Sequence, residues 1–233
     1  MNTNKIKALV TGGSSGIGKA VAIQLIENDA KVVITGRDLT KLTNAANEIG
    51  AIPLHFDVSK YDTIEDNVNQ AIEQLGGLNV LINNAGIGVF PLLEDVQIED
   101  FEKVFAVNVF GLTMLTKAVV KHYKTIGGGD IVNVASTAAL KGFARGSVYS
   151  ASKFALRSLT ECWRAELRKE NIRVMQVNPS EVTTAFNAAD RVERPEEASK
   201  LRSTEIAHSI MAMLKMDNRG FIPELTVWAT NPI

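Results

Sequence analysis

The chain has 233 residues, 45% of them hydrophobic and 22% charged, which is enough to enclose a substantial core in a single unit, taken here to span 1–233. A formal net charge of -1 sets up no long-range field to gather nucleic acid or an anionic membrane, so any anion must be held locally, in a small-molecule site. The lone cysteine, Cys162, excludes an internal disulfide, and the chain opens without a signal-peptide pattern; a cytoplasmic setting is expected, and no apolar stretch is read as approaching the roughly 20 residues of a membrane span.

In chain order, short β-rich runs at 7–11, 31–35, 52–56, 79–83, 130–135, 172–178 and 221–227 alternate with helical spacing at 17–27, 39–49, 64–75, 101–125, 148–169 and 204–216. Ser59, three residues before Asp62, is a candidate cap for the third helix. The strands read as nearly continuous Val, Ile, Leu and Ala, the pattern of a parallel sheet covered on both faces. The fold class expected is α/β: a Rossmann-type three-layer αβα sandwich with a doubly wound parallel sheet of about seven strands. The polar stretch 187–203 breaks the alternation and is expected to belong to a lid over the site, around 183–203.

After the first strand comes Thr11-Gly12-Gly13-Ser14-Ser15-Gly16-Ile17-Gly18. Glycines allow a tight turn and close approach of backbone to a ligand, and the following helix N-terminus offers N–H groups to a pyrophosphate without net basic charge. The second strand ends in Gly36-Arg37. Where an acidic residue would take the adenosine ribose hydroxyls, an arginine accommodates a 2′-phosphate, so NADP is favoured over NAD. Asp38 stays open between capping the second helix and meeting the ribose.

Further on, the chain places Asp57 after the third strand, Asn83-Asn84-Ala85-Gly86 after the fourth, Asn108 in a long helix, Ser136 after the fifth strand and Tyr149-Ser150-Ala151-Ser152-Lys153 thirteen residues beyond it. Tyr149 and Lys153 are four apart and share one helix face, which puts an ammonium beside a hydroxyl. A carbonyl reduction needs a hydride from a cofactor and a proton from the protein; the ammonium, with the oxidised nicotinamide, is expected to favour the phenolate form of Tyr149.

These spaced motifs resemble the short-chain dehydrogenase/reductase family, single-domain branch, over nearly the whole length, and more narrowly the 3-oxoacyl-(acyl-carrier-protein) reductases and related carbonyl reductases. The resemblance implies that Asp57 and Val58 hold the adenine, that Asn84, Ala85 and Gly86 line the adenosine ribose, and that Ser136 hydrogen-bonds the substrate oxygen. It further implies that Lys153 grips the nicotinamide ribose, that Asn108 positions a relay water, and that Pro179, Val182 and Thr184 meet the nicotinamide carboxamide and phosphates. Ser180 stands where the family has glycine, which would be strained if the position needed positive φ.

The activity implied is a ketone or 3-oxoacyl thioester reductase using NADPH. A dehydrogenase running toward alcohol oxidation with NAD, a non-catalytic NADP-binding sensor and, last, a sugar epimerase remain as alternatives. His55, His122 and His208 show no metal-ligand spacing. Substrate walls are expected at 87–92, 137–143 and 183–203, with Arg145, Arg191 and Arg194 as candidates for meeting an acidic carrier. Cys162, Trp163 and Trp228 are read as packing or interface residues, and the resemblance implies a homodimer or homotetramer.

Overall fold

The computed structural model describes residues 6–186 and 194–230; Arg191 and the middle of the expected lid lie outside them. Seven strands form one parallel sheet: β1 (Lys7–Val10), β2 (Lys31–Gly36), β3 (Ile52–His55), β4 (Val80–Asn83), β5 (Gly129–Val134), β6 (Ile172–Pro179) and β7 (Glu224–Val227), in the order β3-β2-β1-β4-β5-β6-β7. The last strand starts later than the 221–227 run suggests because Pro223 has no N–H to give to a ladder.

Consecutive strand residues point to opposite faces, and both faces are apolar. Val10, Ile34, Ile82, Val132 and Met175 pack under α1 (Gly16–Glu27), α2 (Leu39–Ile49) and α7 (Ser203–Leu214). Leu9, Val33, Leu81, Ile131 and Val174 pack under α3 (Ile64–Leu75), α4 (Ile98–Phe105), α5 (Leu112–Ile126) and α6 (Ser147–Leu167). This double covering is the reason the strands carry so few polar residues. The order in which strands are added reverses between β1 and β4, so a crevice opens beyond their C-terminal ends.

One polar row crosses the apolar sheet. Asn83, Asn133, Gln176 and Glu224 lie in register on β4 to β7. Asn83 Nδ2 donates to Thr116 Oγ1 and to Asn133 Oδ1, both at 2.9 Å, and Asn133 Nδ2 donates to Thr160 Oγ1 at 2.8 Å. The row therefore pins α5 and α6 to the sheet at fixed heights, and α6 carries Tyr149.

Three further sequence expectations are corrected. The single helix expected at 101–125 begins at Ile98 and is interrupted by a π-helical turn at Ala106–Gly111. There the helix closes on the loop after β3: a Cβ on Gly111 would fall 2.2 Å from the Val58 carbonyl oxygen. Second, the joined run Ile98–Ile126 is long and apolar enough to cross a membrane by length and composition, contrary to the expectation that no stretch approaches that size; 56% of its most apolar window is buried inside the protein. Third, Ser59 caps nothing. Its N–H and hydroxyl both donate to Asp57 Oδ1, at 3.0 and 2.8 Å, while α3 starts after a short 3₁₀ turn at Tyr61–Thr63.

Candidate active site

The loop joining β1 to α1 makes the floor of the crevice. Gly12 has φ +64° and its hypothetical Cβ would lie 3.1 Å from the Ala85 Cα, so a side chain there is strained by conformation and crowded by the β4 loop. A Cβ on Gly18 would lie 2.4 Å from the Gly12 oxygen, so the first turn of α1 seats directly on the loop. The β4 motif braces the same turn. Asn84 Nδ2 donates to the Thr11 and Gly12 carbonyls at 2.9 and 3.1 Å, and Thr11 Oγ1 accepts from the Asn84 and Ala85 N–H groups, both at 3.0 Å. Asn84 thus offers a ligand its backbone, since its amide holds the turn.

A single cavity of about 1020 Å³ runs from this floor along the strand ends. Gly12, Ser14, Ser15, Gly16, Ile17, Arg37, Asp57, Val58, Asn84, Ala85 and Gly86 line one half; Ser136, Tyr149, Lys153, Pro179, Val182 and Thr184 line the other. Of the residues nominated from sequence as catalytic or cofactor-binding, Gly18 and Asn108 stand behind the wall.

At the floor's outer end Asp38 accepts from the Lys41 N–H at 2.9 Å, so it caps α2. The exposed Arg37 lends its carbonyl to His55 Nε2 at 2.9 Å, and its guanidinium has no partner among the described residues. Asp57 has Oδ1 held by Ser59 and projects into the same half of the cavity. No three His, Cys, Asp or Glu side chains converge as a metal cluster among the described residues.

The other half is built on α6. Tyr149 and Lys153 are 9% and 5% exposed, and the Lys153 Nζ lies 5.7 Å from the Tyr149 ring centroid while donating to the Val134 carbonyl at 3.0 Å. Burial pushes the Tyr149 hydroxyl up to about 12, with the neighbouring Ser136 hydroxyl pulling weakly the other way. Burial also depresses Lys153, to about 8. In the cofactor-free protein, burial thus favours the protonated tyrosine; the expectation that ammonium and oxidised nicotinamide together favour the phenolate concerns the loaded site. Ser136 Oγ accepts from the Ala138 N–H at 3.1 Å, which fixes the serine at the end of β5.

Asn108, 1% exposed, sits in the π-helical turn. Its Oδ1 accepts from the Ile87 N–H and its Nδ2 donates to the Ile87 carbonyl, both at 2.9 Å, and to Ser152 Oγ at 3.0 Å. With both ends of the amide engaged, the side chain anchors the loop after β4 under Lys153. Such π turns recur at functional sites because they shift a helix register locally.

The loop after β6 closes the site. Thr184 lies against the glycine turn, its methyl 3.3 Å from where a Gly16 Cβ would stand; the Thr183 N–H donates to the Leu201 carbonyl at 2.8 Å and the Leu201 N–H to the Glu181 carbonyl at 3.0 Å. Ser180 is not among the positive-φ residues, so the serine is unstrained; its hydroxyl accepts from the Ala229 N–H at 3.2 Å and ties down the chain after β7.

Sequence reasoning missed two supporting residues: Thr11 and Ser152 lie inside quoted motifs but act on backbone and on Asn108. Phe90 and Phe186, inside the segments expected as substrate walls, line the cavity and place their rings 5.4 and 5.5 Å from that of Tyr149.

The family model for short chain dehydrogenase matches residues 6–195. An uncharacterized oxidoreductase of Staphylococcus aureus is 32% identical over 228 residues, 97% of either chain. Among solved structures, an alcohol dehydrogenase from the archaeon Thermococcus sibiricus, complexed with 5-hydroxy-NADP, superposes with a TM-score of 0.88 at 27% identity over 96% of each chain. A 3-ketoacyl-(acyl-carrier-protein) reductase from Brucella melitensis, complexed with NADH, does so with a TM-score of 0.88 at 28% identity over 98% of this chain and 99% of that one.

Proposed function

Because the chain belongs to the short-chain dehydrogenase/reductase family and is an oxidoreductase of that type, we propose that it reduces the carbonyl of a small ketone or 3-oxoacyl thioester with NADPH. The observation that carries this reading is the single cavity joining the glycine turn to Ser136, Tyr149 and Lys153. When bound, the dinucleotide supplies the hydride. The groups present suit it: a cradle at Gly12 that any Cβ would fill, the N-terminus of α1, and Arg37.

Tyr149 donates its hydroxyl proton to the substrate oxygen, which Ser136 holds by a hydrogen bond. Burial keeps the tyrosine protonated in the cofactor-free protein, so the proton to be donated is in place before substrate arrives. Lys153, still largely an ammonium at neutral pH, stabilises the negative charge left on the phenol and grips a ribose hydroxyl. Asn108 is a positioning residue that keeps the Ile87 loop and Lys153 in register.

Preference for NADP over NAD rests on Arg37, a cation on the cavity wall whose guanidinium has no partner among the described residues, next to Gly36, which has no carboxylate to repel a phosphate. Small-molecule substrates, a cytoplasmic setting and assembly as a dimer or tetramer complete the reading; Phe110 and Phe154, 51% and 43% exposed on the α5 and α6 side, are the surface that assembly would cover. The decisive measurement is NADPH oxidation with carbonyl substrates by the wild type and by Tyr149→Phe. The variant should lose about 10³-fold or more in kcat with its fold intact; an unchanged rate would overturn the assignment. Arg37→Glu should raise the KM for NADPH about tenfold or more while changing that for NADH little; equal effects on both would remove the case for the phosphate.

A further inference from the structure

One backbone outlier lies beside the catalytic tyrosine. Phe143 to Gly146 form a β-turn closed by the Gly146 N–H donating to the Phe143 carbonyl at 3.0 Å, and the third residue, Arg145, has φ +67°. That position of a type II turn belongs to glycine or asparagine; a long side chain there is strained, and such strain persists only where the surroundings hold it. Here Arg145 Nε donates to the Phe90 carbonyl at 2.9 Å, linking the loop after β5 to the loop after β4.

What this link holds is an aromatic wall. The Phe90 ring stands 5.4 Å from the Tyr149 ring and 6.2 Å from that of Phe143, and Phe186 meets Tyr149 from the other loop at 5.5 Å. The interplanar angles at Tyr149 are 57° and 58°, tilted edge-to-face contacts of the kind aromatic rings prefer. Gly88 lets the rings converge, since a Cβ there would fall 2.6 Å from Phe90 and 3.0 Å from Phe186. All four rings line the cavity.

We propose that Arg145 is a positioning residue that sets this wall, and that the wall selects carbonyl substrates bearing a flat apolar ring next to the carbonyl over those bearing a small alkyl group. The inference rests on the carbonyl-reductase reading and names its substrate class. A ring seated against Phe90 and Phe186 gains tilted aromatic contacts and loses its water, whereas a methyl group leaves most of the wall wet. Without the Arg145 contact, the Phe90 loop is tied to the loop carrying Phe143 by the ring contact alone, and the wall loosens. The bond removed runs from the Arg145 guanidinium to the Phe90 carbonyl and touches neither Tyr149, Ser136 nor Lys153, so its loss is expected to reach catalysis through substrate placement.

The test compares 1-phenyl-1,2-propanedione with 2,3-butanedione, which differ by phenyl against methyl, in the wild type, Arg145→Gly and Arg145→Lys. The wild type should favour the phenyl substrate by about tenfold or more in kcat/KM, chiefly through KM. Arg145→Gly suits the positive φ and should keep or raise the thermal midpoint while losing most of that preference; Arg145→Lys, which retains a donor, should recover part of it. A wild-type ratio near unity, a ratio unmoved by Arg145→Gly, or a lowered midpoint in that variant would overturn the proposal, the last by making the residue merely structural. Calorimetric binding of both diketones is measured in parallel. If neither is reduced but the phenyl compound binds tighter in the wild type and not in Arg145→Gly, the reductase reading fails and the aromatic selection stands; equal binding of both sinks the selection.

Discussion

Lys153 is an ammonium enclosed by protein, with one backbone carbonyl as its hydrogen-bond partner, and its cost can be read as a pH dependence. Its folded value of about 8 lies below the ordinary 10.5. Below pH 8 both folded and unfolded chains carry the charge, and the full penalty of about 3 kcal/mol is present. Between pH 8 and 10.5 the unfolded chain binds more protons, so stability rises with pH across that window. Tyr149 acts oppositely and later: raised from 10.0 to about 12, it favours the fold below pH 10 and loses that contribution as pH rises toward 12. Urea unfolding of the ligand-free protein should show the first trend, and Lys153→Met should abolish it; a flat profile from pH 8 to 10 in the wild type would contradict the burial argument.

At the scale of elements, the sheet's far end depends on a buried ion pair. Arg173 at the start of β6 donates through Nε and Nη2 to the two carboxylate oxygens of Asp130 on β5, at 2.5 and 2.6 Å, with side chains 10% and 3% exposed. The carboxylate beside it raises Arg173 above its ordinary value. Truncation to Arg173→Ala strands the Asp130 charge and should cost about 3–5 kcal/mol of stability, measurable as a lower denaturant midpoint; a loss under about 1 kcal/mol would mean that water reaches the carboxylate. The pair sits at the end of the strands away from the cavity, so the destabilised variant should keep its KM values.

The same scale shows where local patterning stops. Strand and helix positions could be read because β1 to β6 are apolar runs and the helices are capped by local residues, as Asp38 caps α2 and Gly50, with φ +76°, ends it. The π-helical turn at Ala106–Gly111 could not be read, because it arises from the contact of Gly111 with Val58, some fifty residues away in sequence. The in-register row of Asn83, Asn133, Gln176 and Glu224 was hidden for a related reason: each residue is one polar interruption in a strand, and only strand pairing aligns them.

For the molecule as a whole, the apolar residues left outside the core have a consequence for assembly. Phe110 and Met114 on the α5 side and Phe154 on α6 are 51%, 42% and 43% exposed, and apolar surface gathered on neighbouring helices favours association. Phe154→Arg should shift the protein toward a smaller species in sedimentation velocity without lowering its thermal midpoint below that of the dissociated wild type; an unaltered sedimentation coefficient would place the interface elsewhere.

What the sequence by itself determined was the α/β alternation, the doubly covered parallel sheet, the glycine turn and the Ser136, Tyr149 and Lys153 set, since each depends on neighbours in the chain or on spacing within one helix. Only the tertiary structure decided how these groups behave. The polarity of the Tyr149 pKa, the engagement of Asn108 with Ile87 and Ser152, the release of Ser180 from strain and the clamp from Arg145 to Phe90 all depend on segments that meet only when strands pair and helices pack. Burial is a property of the folded surroundings, which i, i+4 spacing alone does not report.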